Sequence, residues 1–301
     1  MNKNLSVNLA GVVLKNPVVT ASGTFGSGRE HSRFFDLGII GGVTVKGVSH
    51  EPWQGNPPPR IGETYGGMLN AVGLQNKGAK AFIENDLPFL RGYDTKVIVN
   101  LCGKSMEDYI NVIRDFEDVD IDLFELNISC PNIKAGGIAM GSDPSSAEEV
   151  TRAVKKYSKA PLFVKLSPNV TDIVSIAKAV EAGGADGISL INTLIGMKID
   201  ITKRAPLLGN VFGGLSGPAI KPIAVRMVYQ VAKNVNLPII GMGGITNGED
   251  AIEFIMAGAT AVAVGTANFK NPVATVDIVN GIAAYMEEQG ISDINDIRGV
   301  A

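Results

Sequence analysis

Residues 161–193 read PLFVKLSPNVTDIVSIAKAVEAGGADGISLINT. Two short apolar runs, PLFVKLS (161–167) and GISLINT (187–193), enclose a segment in which Ile173, Ile176, Ala177 and Val180 recur at helical spacing after Thr171. Gly183–Gly184 then ends that segment, as glycine does at a helix C-terminus. Near-continuous apolar strands are buried on both faces, which is the habit of a parallel sheet covered by helices. The stretch is therefore one strand–helix–strand unit.

The unit recurs from end to end. Further runs are PVVTASG (17–23), GGVTVKG (41–47), KVIVNL (96–101), LFELNIS (123–129), PIIGMGG (238–244) and AVAVGT (261–266). Between two of them, Ser145 and Ser146 stand three residues before Glu148 and Glu149, the spacing of a capping box, and Val150, Ala153, Val154 and Tyr157 mark one helical face. Asn247 can cap another helix, with Glu249 and Asp250 in its first turn and Gly258 as its stop. Eight such strands predict an α/β chain folded as a (β/α)8 TIM barrel, one domain over 1–301; an open doubly wound sheet is the alternative. Its 301 residues suit a barrel, which commonly needs ~250 or more. SVNL and VVLKN, separated by Ala10–Gly11, predict an N-terminal β-hairpin placed to plug the N-terminal mouth. The connections 48–72 and 194–217 are too long for turns. Both leave C-terminal strand ends, where barrel enzymes build their sites, and are expected as active-site walls.

Composition narrows the function. Hydrophobic residues make up 45% and charged residues 19%, enough for a large core and not a disordered chain. The net charge is −3, and no basic block interleaved with aromatics suggests nucleic acid. Two cysteines make no disulfide framework and cannot supply the four thiolates of an iron–sulfur cluster. With only two histidines, a Cys/His zinc site is not expected, so the metal expectation is none. The start MNKNLSVNLAG lacks a signal-peptide apolar run, and no stretch offers the roughly 20 apolar residues that span a bilayer. The expectation is a soluble cytoplasmic protein with no membrane or nucleic-acid partner.

In a barrel, polar residues at C-terminal strand ends converge on one mouth. Here they are Ser22, Lys46, Asn100, Asn127 with Cys130, Lys165, Asn192 with Thr193, Gly243–Gly244 and Gly265–Thr266. Buried lysine and asparagine are costly unless paired, so packing alone explains such a ring poorly. The glycine loops of the last two strands can hold a phosphate through bare N–H groups and the helix N-termini that follow, or they can simply ease strand-to-helix turns. Lys165, in FVKLS, can serve a developing negative charge, form a Schiff base, or be a salt-bridged core lysine, and Lys46 raises the same choices. Cys130 follows a strand end and precedes NIKAGGIAMG, which is rich enough in glycine for a lid. A shielded thiol there can act as a general base, although a free cysteine can also be an inert small hydrophobe. Cys102, in NLCGKS, lacks that setting and reads as structural.

ELNISCPN, the NAVGLQN segment (70–76), FVKLSPN, Ile191-Asn192-Thr193 and GMGGI followed by VGTA resemble the class 1 dihydroorotate dehydrogenases over essentially the whole chain. Class 2 members have a serine as base and an N-terminal membrane-associating extension, whereas Cys130 takes the base position here and sixteen residues precede the first strand. NIKAGGIAMG and GATAVAVGTANF are similar to class 1B, the catalytic subunits of the NAD-dependent enzyme. The resemblance implies one FMN per chain, with its phosphate on Gly243, Gly244, Gly265 and Thr266. Ser22, Lys46, Gly47, Asn100, Asn127, Ile191 and Gly217 would lie along the flavin, with Lys165 at the N1/O2 side of the ring. It implies a pyrimidine held by Lys46, Asn70, Ala71, Val72, Gly73, Leu74, Asn127, Asn192 and Thr193. Cys130 would take the proton from C5 of (S)-dihydroorotate while hydride leaves C6 for FMN N5, giving orotate in pyrimidine (UMP) biosynthesis. The chain has no dinucleotide fingerprint after a strand and no cluster ligands. Electrons bound for NAD would therefore cross a partner subunit carrying FAD and [2Fe–2S], in a heterotetramer around a catalytic homodimer. The alternatives are a class 1A enzyme using fumarate, a pyrimidine-reducing flavin barrel, and a phosphate-binding lyase or isomerase using Lys165 as a Schiff base.

Overall fold

The computed structural model describes residues 3–129 and 137–301. Strands β1 (Val7–Leu9) and β2 (Val12–Leu14) form the expected antiparallel hairpin, Val7 opposite Leu14. Its two-residue turn places Ala10 at φ 53° and Gly11 at φ 94°, and the Gly11 N–H donates to Asn8 Oδ1 at 2.6 Å. Leu9 and Leu14 are fully buried in the main core. Asn8 and Ala10 share a surface cleft with Pro238 and Ile239, which places the hairpin beside the N-terminal end of a barrel strand.

The remaining strands in chain order begin with β3 (Val18–Thr20), β4 (Gly42–Thr44), β5 (Ile61–Thr64), β6 (Gly67–Asn70), β7 (Lys96–Leu101), β8 (Leu123–Asn127) and β9 (Leu162–Lys165). They continue with β10 (Gly187–Leu190), β11 (Leu194–Gly196), β12 (Ile199–Asp200), β13 (Ala205–Pro206), β14 (Gly213–Ser216), β15 (Ile239–Met242) and β16 (Ala261–Val264). Strands β3, β4, β7, β8, β9, β10, β15 and β16 close into a barrel in that order, and every neighbouring pair is parallel. All eight expected runs are barrel strands, and the fold is a (β/α)8 barrel.

The helices confirm most of the capping signals and correct others. Asn247 caps Gly248–Met256, its Oδ1 accepting from the Asp250 N–H at 2.9 Å. Asp172 caps Ile173–Ala182, and Gly184 follows at φ 92°. The helix expected to start at the Ser145/Ser146 capping box spans Pro144–Lys155 and is capped instead by Asp143. The Asp143 carboxylate accepts from the Ser146 N–H at 2.9 Å and from both serine hydroxyls. A carboxylate accepts more strongly than a serine hydroxyl, and Pro144 suits the first helical position. The connection from β3 to β4 is also not a full helix; it carries only the 3-10 turns His31–Arg33 and Leu37–Ile39.

The two long connections make one wall together. β5 and β6 come from the first, β11 and β14 from the second, and they pair as one antiparallel sheet in the order β11-β14-β6-β5. Leu215 lies opposite Leu69 and Gly214 opposite Asn70, so segments about 145 positions apart in sequence are zipped over the barrel mouth. Leu69, Ala71 and Leu208 form a small core beneath this sheet, separate from the main one.

Candidate active site

A cavity opens at the C-terminal ends of the barrel strands, under that sheet. Ser22, Lys46, Asn127 and Lys165 reach it from β3, β4, β8 and β9. Ile191, Asn192 and Thr193 follow β10, Asn70 ends β6, and Val72, Gly73 and Leu74 come after it. The glycine loops complete it: Gly217, Gly243–Gly244 and Gly265–Thr266. Three of the site residues singled out in the sequence are absent from the lining. Asn100 is fully buried one layer deeper. Gly47 packs over it, for a Cβ at Gly47 would lie 3.1 Å from Asn100 Oδ1. Ala71 is buried in the small core, and its N–H donates to Arg60 O. Cys130 lies outside the described residues.

The strand ends are cross-linked by a buried polar network. Asn127 Nδ2 donates to Asn100 Oδ1 at 3.2 Å, and Asn127 Oδ1 accepts from the Ser129 N–H and hydroxyl at 3.2 and 2.9 Å. The Tyr109 hydroxyl, from the helix Met106–Arg114, donates to the Asn127 carbonyl at 2.7 Å. Asn192 Nδ2 donates to Ser129 Oγ at 2.8 Å, while Asn192 Oδ1 accepts from the Thr193 N–H. Asn169 Nδ2 donates to the Thr193 carbonyl at 3.0 Å, and its Oδ1 accepts from the Ile195 N–H at 2.9 Å, which fixes the chain where β10 leaves the barrel. Each carboxamide is thereby oriented before any ligand arrives, so its remaining hydrogen-bonding capacity has a fixed direction.

Beneath Lys165 sits Glu125, a carboxylate on the same face of β8 as Asn127, since side chains two apart share a face. Lys165 and Glu125 are 4% and 1% exposed, and Lys165 Nζ stands 3.9 Å from Glu125 Oε2. Lys165 thus lines the cavity and also belongs to a buried ion pair, the salt-bridged arrangement that its sequence context left open.

At the other end of the cavity the glycine loops fold closely on one another. Gly243 and Gly244 take φ values of 128° and 84°. A Cβ at Gly244 would stand 2.9 Å from Gly217 O and 3.0 Å from Lys221 N, so only glycine lets these backbones approach. Lys221, first residue of the helix Lys221–Ala232, bonds Asp250 at 2.7 Å and Glu253 at 2.6 Å, and these bonds hold its ammonium above the ordinary lysine value. The Asp250 carboxylate also accepts from the Thr246 N–H and hydroxyl at 2.8 and 2.6 Å, tying the Gly244 loop to two helices. Thr266 Oγ1 donates to Ser216 Oγ at 2.7 Å, joining the loop after β16 to the covering sheet. The helix after Thr266 is the single turn Ala267–Lys270.

Sequence reading assigned no role to Glu125, Ser189, Tyr109, Asn169 or Ser216. A signal existed for two of them: Glu125 and Ser189 are polar residues inside apolar strands, and burial of a charge in such a place demands a partner. The others sit on helices and loops whose meeting with the strand ends is a tertiary event. Among the described residues, no group of three or more His, Cys, Asp or Glu side chains is placed to hold a metal ion, and no helix is long and apolar enough to cross a membrane.

A closed parallel barrel that gathers two lysines, several oriented carboxamides and close-packed glycine loops at its C-terminal mouth is an enzyme architecture. A family model described as dihydroorotate dehydrogenase matches residues 4–286. The chain belongs to that family. It is 67% identical over 296 residues, 98% of each chain, to the dihydroorotate dehydrogenase B (NAD(+)), catalytic subunit, of Alkaliphilus metalliredigens (strain QYMF). Relatives described in the same words are 65% identical over 297 residues in Alkaliphilus oremlandii (strain OhILAs) and 63% over 296 in Lachnoclostridium phytofermentans (strain ATCC 700394 / DSM 18823 / ISDg). These matches span 99% and 98% of this chain, and 98% and 99% of the respective relatives.

Proposed function

We propose that this chain is the catalytic subunit of an NAD-dependent dihydroorotate dehydrogenase, a cytoplasmic, FMN-binding barrel over 1–301 that oxidises (S)-dihydroorotate to orotate. The observation that carries this reading is a single cavity with both chemistries in it. Lys46, Lys165, Asn127, Asn192 and Thr193 line it together with the loops at Gly217, Gly243–Gly244 and Gly265–Thr266. Family membership supports the same reaction.

The residues present fit FMN. At Gly217 and Gly244 the backbones approach so closely that a Cβ would collide with backbone, and such bare backbone suits a phosphate. Gly243, Gly244, Gly265 and Thr266 would hold that phosphate, and Ser22, Ile191 and Gly217 would flank the ring system. Gly47 and Asn100 would support it from behind the lining. Bound FMN supplies a two-electron acceptor for the hydride that leaves C6 of the substrate. Lys165 would place its ammonium where negative charge develops. Lys46, the backbone from Asn70 through Ala71, Val72 and Gly73 to Leu74, and Asn127, Asn192 and Thr193 would grip the carboxylate and imide edges of the pyrimidine. The proton at C5 must go to a base, and Cys130, three positions past the end of β8 in sequence, is the residue we assign to take it. With the C5 proton taken by the Cys130 thiolate, which becomes the neutral thiol, and the hydride gone from C6, the ring gains its C5–C6 double bond.

Electrons bound for NAD would leave through a partner subunit carrying FAD and [2Fe–2S], in a heterotetramer built on a homodimer of this chain. The test is an absorbance spectrum of the purified protein before and after anaerobic dihydroorotate. A flavin spectrum bleached by dihydroorotate is expected. A colourless protein, or a flavin that dihydroorotate leaves oxidised, refutes the reading. Turnover with fumarate by the chain alone, and none with NAD when the partner is added, refutes the NAD assignment.

A further inference from the structure

Glu125 is the acid that the proposed chemistry leaves unused. Its carboxylate is fully engaged inside the barrel: Ser189 Oγ donates to Oε1 at 2.6 Å and Asn100 Nδ2 to Oε2 at 2.5 Å. Those donors come from β10 and β7, on either side of β8 and β9, so the bonds cross the barrel interior and the carboxylate has little freedom to move. Lys165 Nζ lies 3.9 Å from Oε2, and among the described residues no other carboxylate comes within ion-pair distance of it. Among the described residues, the remaining charged side chain lining the cavity is Lys46, from the end of β4. Buried charges are retained only when paired and hydrogen-bonded, and this carboxylate has a pair and two donors.

We infer that Glu125 is a positioning residue that acts through Lys165: it anchors the ammonium at the cavity floor and offsets part of its positive field, and so sets how strongly the site favours negative charge on a bound cofactor. The inference rests on the flavin reading of the cavity. Lys165 and Glu125 then act with opposite sign on the same quantity, the two-electron midpoint potential of the bound flavin. A residue that merely braced the fold would not produce that opposition.

The experiment compares wild type, Glu125→Gln, Lys165→Met and the double variant, each as FMN-loaded protein at one fixed pH, by spectroelectrochemical titration. Glutamine keeps the shape and can exchange hydrogen bonds with Asn100 and Ser189, so the change is close to a removal of charge alone. Lys165→Met is expected to lower the potential. Glu125→Gln is expected to raise it by about 30 mV, which is a tenfold shift of the two-electron equilibrium towards the reduced form. In the Lys165→Met background the Glu125→Gln change is expected to do nothing, because the ammonium that Glu125 anchors and offsets is then gone. A Glu125→Gln potential that falls or stays put overturns the inference, and so does an equal rise in both backgrounds. Should Glu125→Gln alone fail to fold, the double variant, which leaves no lone buried charge, is expected to fold; a double variant just as unfolded overturns it. Wild-type protein without affinity for FMN is a different result, because it removes the flavin reading itself.

Discussion

Gly244→Ala tests whether the loop after β15 is a phosphate cradle. The glycine sits at φ 84°, so any L side chain there costs about 1–2 kcal/mol in backbone conformation alone. The added Cβ would also stand 2.8 Å from Lys221 Cβ, 2.9 Å from Gly217 O and 3.0 Å from Lys221 N. Ordinary contact is roughly 3.5 Å, so the loop must retreat by about half an ångström. Two of the three obstacles are backbone atoms, and Lys221 is itself pinned by Asp250 and Glu253, so the loop moves rather than the helix. A displacement of that size spoils at least one charge-assisted hydrogen bond to a phosphate, worth about 1.5–3 kcal/mol. FMN binding then weakens by roughly tenfold to a hundredfold. Gly290→Ala is the control, because Gly290 has φ 68° and nothing within 4 Å of its added Cβ. It pays the same conformational cost away from the cavity. The assay is quenching of FMN fluorescence on titration with apoprotein, beside thermal melts of both variants. A melting loss in both variants, larger in Gly244→Ala because of its added contacts, with weakened FMN binding only in Gly244→Ala, is expected. Unchanged FMN affinity in Gly244→Ala would refute the assignment of this loop to the phosphate.

Two further outcomes are expected. Cys130→Ala should leave FMN bound but slow flavin reduction by dihydroorotate about 10²–10⁴-fold, the usual contribution of a positioned base; stopped-flow rates near wild type would remove Cys130 from the chemistry. Asp122→Asn probes stability at the opposite end of the barrel, where the Asp122 carboxylate accepts from Arg91 Nη1 at 2.7 Å, Lys96 Nζ at 3.0 Å and the Val97 N–H at 3.0 Å. Burial pushes this carboxyl up, but the Val97 N–H and the two cations outweigh it and hold it below the ordinary aspartate value. A lowered folded value means stability that is present above the unfolded value and lost as pH falls through the folded one. Asp122→Asn should therefore be about 1–3 kcal/mol less stable at pH 7, with the gap to wild type closing below pH ~4; a gap independent of pH in denaturant melts would contradict this.

The sequence by itself determined the eight parallel strands and favoured the barrel over an open doubly wound sheet; closure of the ring came from the tertiary structure. Eight apolar runs separated by helical or loop segments have few ways to bury both strand faces, and parallel closure is the economical one. It also placed Lys46, Asn127, Lys165, Asn192 and the glycine loops at one mouth, because every strand of a parallel barrel ends on the same side. Helix starts were less legible: Asp143 displaced the serines as a cap, a choice between neighbouring side chains that only local geometry settles. The tertiary structure alone decided the rest. The covering sheet pairs residues 68–70 with 214–216, and no local periodicity announces a partner that far along the chain. The network through Glu125 joins β7, β8, β9 and β10, and Tyr109 reaches Asn127 from a helix. Strand positions are a matter of local pattern and burial, whereas the partner of a buried charge is set by how strands stagger around a closed ring, and that stagger is a property of the whole barrel.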